Sequence, residues 1–178
     1  QRPAASADTG QLRIHVLGPW QLRRGDRPLN FRTPLGRTLL ATLVEARLEG
    51  RPGVRPLELQ QRLYPHLLDA QAAAALHQLV YRTRRTLGAD AVVLADHGYV
   101  LGAASTDAEA FVQDGDVGWW RGAYLDGDPS GAVADRLYAR LRARTLDLVA
   151  GGGDPAEVAR AGTIVVRENP FDLSLIHI

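Results

Sequence analysis

Between Gln71 and Arg85 the chain carries glutamine, histidine, tyrosine and arginine at spacings that a helix gathers onto one side. Advancing about 100° per residue from Leu76, one face collects Leu76, Leu79, Val80, Thr83 and Leu87, which must be core. The opposite face collects Gln71, Ala74, Gln78, Tyr81, Arg82 and Arg85, with His77 and Arg84 on the flanks. Small and amide side chains lead; aromatic and guanidinium groups trail. That gradient suits entry into a DNA major groove. The leading turns are slim and can pair with base edges, as glutamine does with adenine, while trailing arginine and tyrosine meet phosphates. A solvated amphipathic helix also exposes arginines, so this face gains meaning from the elements around it.

Those elements can be traced from their own residues. Leu12, Ile14 and Val16 alternate with Arg13 and His15, the two-residue period of a half-buried strand. Gly18-Pro19 breaks it, Trp20–Arg23 runs back, Gly25-Asp26 marks a turn, and Pro28–Phe31 makes a third short strand. Thr33-Pro34 sets a hydroxyl at a helix cap and proline at the first helical position. Leu35, Leu39, Leu40, Leu43 and Val44 then recur at helical spacing until Glu49-Gly50. After a Pro/Gly/Arg loop, Pro56–Tyr64 predicts a shorter helix with Leu59 and Leu63 inward, stopped by Pro65. The helix of interest runs from about Ala70 to Leu87 and ends at Gly88. Ala91–Leu94 and Tyr99–Leu101 form a hairpin through Asp96-His97-Gly98.

Thr106-Asp107-Ala108-Glu109 is a capping box following a Gly/Ala/Ser stretch at 102–105, and a domain boundary is expected there. Residues 114–128, rich in glycine and aromatics, are expected to pack as a structured connector. Ser130–Val149 predicts a helix with Val133, Leu137, Leu141 and Leu148 on one face, ended by Gly151–Gly153. Asp154-Pro155-Ala156-Glu157 restarts a helix carrying Val158, Ala161, Ile164 and Val165. The expectation is an α+β chain: a linker over 1–10, a sheet, three helices and a hairpin over 11–102, and helical hairpins over 103–178. With no Met in the chain, residues are expected upstream of Gln1, and the helical array is expected to continue past the apolar Leu173–Ile178.

The composition narrows the chemistry. The chain has no Cys, which excludes a disulfide scaffold, a thiolate metal site and a thiol nucleophile. It also has no Lys, so there is no Walker-type phosphate loop or Schiff base, and all 21 fixed positive charges are arginine. Residues 1–102 carry a net charge of +6 and residues 103–178 a net of −5, so the near-neutral total hides a basic half and an acidic half. No apolar run approaches the roughly 20 residues of a membrane span, no secretory signal is visible, and a cytoplasmic protein is expected.

Together these residues resemble a family. Residues 11–101 are similar to the OmpR/PhoB-type winged helix that opens the Streptomyces antibiotic regulatory protein (SARP) family. The matching stretches are Leu12–Pro19, Arg32–Leu43, Pro56–Pro65, Leu76–Gly88 and Gly98–Leu101. Residues 107–174 resemble the bacterial transcriptional activation domain (BTAD) that follows it, a TPR-like helical array. The match runs through Trp119–Leu125, Ala134–Leu148 and Glu168-Asn169-Pro170. The resemblance implies a bacterial DNA-binding transcriptional regulator located at the nucleoid, without cofactor or metal and not an enzyme. Helix 70–87 would read the major groove, and the wing at 91–101, with His97, would lie near the minor groove. The turn Pro65–Gln71 would face RNA polymerase, and the helical domain would serve a homodimer or protein partner. Ala72–Ala75 and Asp96 stand where relatives carry polar or basic residues, so modest intrinsic affinity for double-stranded DNA is expected. The competing reading is a protein-interaction scaffold whose winged helix no longer binds DNA.

Other constellations point to structure. The five histidines show no metal-ligand spacing. Asp114, Asp116, Asp126 and Asp128 lie among glycines but lack a calcium-loop pattern, and are expected to form turns and caps. Gly151–Gly153 follows no strand, and no G-x-S-x-G elbow occurs. Trp119 and Trp120 are expected to pack as core between the domains.

Overall fold

The computed structural model describes residues 10–31, 33–127 and 131–168. Most of the expected linker, Arg32, the Asp128 turn, the expected helix start at Ser130, Asn169-Pro170 and the terminal Leu173–Ile178 lie outside them. Among the described residues the chain is mixed α and β, with six short strands and six α-helices. No helix among them is long and apolar enough to cross a membrane.

Contacts divide the chain into two units: residues up to Ile14 together with Gln21–Ser105, and His15–Trp20 together with Thr106 onward. The first unit opens on β1 (Leu12–His15), β2 (Gln21–Arg24) and β3 (Arg27–Leu29). Strands β2 and β3 pair antiparallel, Leu22 opposite Leu29, around the Gly25-Asp26 turn, where Gly25 takes φ +56°. Leu12 and Ile14 are fully buried, as their alternation requires. A further strand, β6 (Ala104–Thr106), completes the order β3-β2-β1-β6. The Gly/Ala/Ser stretch therefore holds a strand that its three residues could not announce.

Helix α1 (Pro34–Leu48) starts at its proline. Thr33 takes the cap position, but its hydroxyl makes no cap hydrogen bond, so the preset φ of proline sets the start rather than a side-chain cap. Leu39, Leu40, Leu43 and Val44 are buried, whereas Leu35 is 38% exposed. Gly36 lies under Phe31: a Cβ there would fall 2.3 Å from the ring. Helix α2 (Pro56–Leu63) buries Leu59 and Leu63. Helix α3 (Asp69–Leu87) buries Ala72, Leu76, Leu79, Val80, Thr83 and Leu87 and ends at Gly88, whose φ is +105°. Strands β4 (Val92–Ala95) and β5 (Gly98–Leu101) form the hairpin, with Val92 opposite Leu101.

In the second unit α4 (Asp107–Asp114) opens on the anticipated box: Glu109 N donates to Thr106 Oγ1 at 3.0 Å, and that hydroxyl donates to the Glu109 carboxylate at 3.0 Å. Asp107 is buried and accepts from Val16 N at 2.8 Å and Leu17 N at 3.1 Å, with the Arg121 guanidinium 3.3 Å away. The connector packs around Trp120 and Tyr124, both 1% exposed. Trp120 meets Phe111 edge-on at 5.6 Å and lies 5.3 Å from Tyr138. Trp119 departs from expectation. It is 37% exposed, because its indole N–H reaches outward to Asp114 Oδ2 at 2.9 Å rather than into the core. Helices α5 (Ala132–Ala150) and α6 (Pro155–Glu168) pack together, and they bury Val133, Leu137, Leu141, Ala161, Ile164 and Val165. Leu148 is only half-buried.

Candidate nucleic-acid interface

Helix α3 owes its orientation to contacts made from its buried side and its two ends. At the leading end the Tyr64 hydroxyl, just past α2, donates to Ala75 O at 3.3 Å. Burial pushes the Tyr64 pKa up, partly opposed by the charge of Arg82. At the trailing end the Arg24 guanidinium donates to Leu87 O and stands 3.5 Å from Asp90. Alongside, Arg84 Nε donates to Val92 O at 2.7 Å, tying the helix to the hairpin.

These contacts leave one face open. Gln71, Ala74, His77, Gln78, Tyr81, Arg82 and Arg85 line it: Gln71, His77, Gln78, Arg82 and Arg85 are exposed, as is Tyr81 at 61%, and Ala74 lies among them. The guanidinium groups of Arg82 and Arg85 make no hydrogen bond or ion pair among the described residues. Arg84 differs, since it is half-buried and one of its donors already serves the hairpin. Two cations, two amides and a phenol thus share a face on which the helix's own carboxylate, Asp69, stands apart in the first turn. Chemically it can donate to phosphate through Arg82 and Arg85 and form two-point amide contacts through Gln71 and Gln78.

His97 and Asp96 are both exposed at the hairpin turn, with Leu94 57% exposed beside them. The hairpin is braced from a side the sequence did not reveal. In the loop before α2, Val54 N donates to Tyr99 O and Tyr99 N to Val54 O, each at 2.9 Å. Gly98, at φ +122°, allows this approach, since a Cβ there would sit 2.2 Å from Val54 O. The loop carries Arg51 and Arg55, which a sequence reading absorbs into a Pro/Gly/Arg stretch. Their only early signal is two arginines four residues apart.

The turn between α2 and α3 exposes Leu67 to 42% and Leu68 to 75%, beside an open groove of about 320 Å³ lined by Leu57, Tyr64, Pro65 and Leu67. Elsewhere the acids act structurally: Asp114 accepts from Asp116 N at 2.8 Å and Asp116 from Gly118 N at 2.7 Å. Among the described residues no three His, Asp or Glu side chains gather in a way that could hold a metal ion.

No family model and no curated protein matches the chain. Among solved structures it is similar to Mycobacterium tuberculosis EmbR in complex with a low-affinity phosphopeptide, with a TM-score of 0.64 and 24% identity. The match covers 93% of this chain and 52% of that one, so the chain spans about half the length of that protein. The likeness is one of fold alone.

Proposed function

We propose that the chain is a DNA-binding transcriptional regulator of the SARP type, with residues 11–102 as its winged-helix domain and 103–178 as part of a TPR-like BTAD. Helix α3 enters the major groove, and the β4–β5 hairpin is the wing near the minor groove. The observation that carries this reading is the open face of α3, where Arg82 and Arg85 lack partners among the described residues and stand beside Gln71 and Gln78. The fold shared with EmbR supports it. Arg82 and Arg85 contact phosphates, with Arg84 contributing the donors its bond to Val92 leaves over. Gln71, Ala74 and Gln78 face base edges, and His77, Tyr81 and His97 line the flanks. The exposed Leu67 and Leu68 mark the turn that meets RNA polymerase, and the helical domain meets a second copy or a protein partner. Such a regulator works at the nucleoid, in the cytoplasm, and catalyses no reaction.

Selection of bound duplexes from a random DNA pool, followed by a gel-shift titration across salt, tests this. Arg85→Ala should weaken binding to every sequence and reduce the salt slope by about one unit. Gln78→Ala should relax preference at a single position. Absence of retardation even at low salt, with every change on the 71–85 face silent, would overturn the proposal in favour of the scaffold reading.

A further inference from the structure

We infer that Arg55, on the loop that braces the hairpin, is an additional phosphate-contacting residue of the DNA interface. This rests on the DNA-binding reading above and extends its contact surface beyond α3 and the hairpin.

The Arg55 backbone has little freedom. The reciprocal Val54–Tyr99 hydrogen bonds fix the residue before it to β5. A Cβ on Gly98 would lie 3.0 Å from Arg55 N, and one on Gly53 would lie 3.2 Å from the His97 carbonyl carbon. The loop and the Asp96-His97-Gly98 turn are therefore packed backbone to backbone, and Arg55 is held beside that turn wherever the hairpin goes.

The local charges decide what Arg55 is available for. Arg51 is committed to Glu58 by a two-pronged fork of 2.9 and 2.6 Å, which holds the Glu58 carboxyl below its usual range and raises the Arg51 pKa. Arg62 is committed to Glu45 at 3.3 Å. Glu58 also feels the Arg55 charge, as the smallest of its arginine influences, but its carboxylate is already forked to Arg51. Arg55 remains exposed, and its guanidinium makes no hydrogen bond or ion pair among the described residues. The hairpin turn itself offers phosphate only an exposed aspartate and a histidine. An aspartate alone would repel the backbone. Arg55 supplies the cation that makes this end of the interface attractive, with the fork geometry that suits a phosphate.

The test is a salt titration of duplex binding for wild type, Arg55→Ala, Arg55→Lys and Arg62→Ala. Arg55→Ala should lower affinity alike for selected and unrelated sequences and reduce the salt slope by about one unit, matching Arg85→Ala. Arg55→Lys should recover most of the slope, and Arg62→Ala should leave it near wild type. Circular dichroism melting of Arg55→Ala and Arg55→Lys should match wild type, because the Arg55 side chain has no bond to lose among the described residues. Wild-type binding with an unchanged slope in Arg55→Ala overturns this inference while leaving the α3 reading intact. An equal loss in Arg62→Ala also overturns it, since that would be a general charge effect. Failure of the wild-type chain to bind at any salt overturns both readings.

Discussion

Helices α3 and α5 are both 19 residues long and rich in arginine, yet their guanidinium groups are used in opposite ways. In α5, Arg140 donates to Val112 O at 2.6 Å and lies 6.0 Å over the Phe111 ring, while Arg144 donates to Gly115 O at 3.1 Å. These carbonyls belong to the last turn and cap of α4, where a helix has no partners of its own to offer. Arg136 and Arg142 are engaged as well. In α3 only Arg84 works this way, and Arg82 and Arg85 bond to nothing among the described residues. A run of arginines therefore signals a binding face only after the arginines that the fold consumes are subtracted. The subtraction removes α5 and spares α3.

The largest effect expected from testing this contrast is in the second unit, at the carboxylate that Arg121 faces. Asp107→Ala strands the buried Val16 and Leu17 amides and should cost about 3 kcal/mol. Urea unfolding followed by tryptophan fluorescence reads it directly, because Trp20, Trp119 and Trp120 all belong to that unit. An unchanged midpoint would break the view that its charges are structural.

A smaller and sharper comparison sets Arg140→Ala against Arg85→Ala. The first should lower stability by about 1 kcal/mol, through a lost hydrogen bond and ring contact, with DNA binding unchanged. The second should stay within about 0.5 kcal/mol of wild-type stability while weakening DNA binding. The reverse pattern would exchange the roles of the two helices.

The smallest effect is confined to alkaline solution. The Tyr138 hydroxyl accepts from Tyr124 N at 2.8 Å, and burial pushes its pKa up to about 12. Unfolded, it ionises near pH ~10, so strongly alkaline solution favours the unfolded chain. Its contribution is complete below about pH 10 and is lost as the pH rises toward about 12. Thermal midpoints of wild type should fall across that range, and those of Tyr138→Phe should fall less.

How far the sequence could be read varied with how local each feature was. The buried face of α3 followed from period alone, as did the inward Leu59 and Leu63, because a lone helix already assigns its faces. The capping box at Thr106 was legible for the same reason, since its partners lie three residues apart. Strand β6 was not, because three residues become a strand only when β1 lies beside them. Trp119 and Trp120 look alike in sequence, and a single indole hydrogen bond to Asp114 separates an exposed ring from a core one.

For the candidate interface, the sequence by itself determined which residues share the outer face of α3, that its cations are all arginine, and that positive charge gathers in the first 102 residues. Those are properties of helical spacing and composition. The tertiary structure alone decided which arginines remain unspent, because a guanidinium is consumed by carbonyls and carboxylates distant in sequence. Val92 claims part of Arg84, Val112 claims Arg140, and Glu58 claims Arg51. It also placed Arg55 against the hairpin turn, through a pair of backbone hydrogen bonds that join Val54 to Tyr99 and leave no trace in the side-chain pattern.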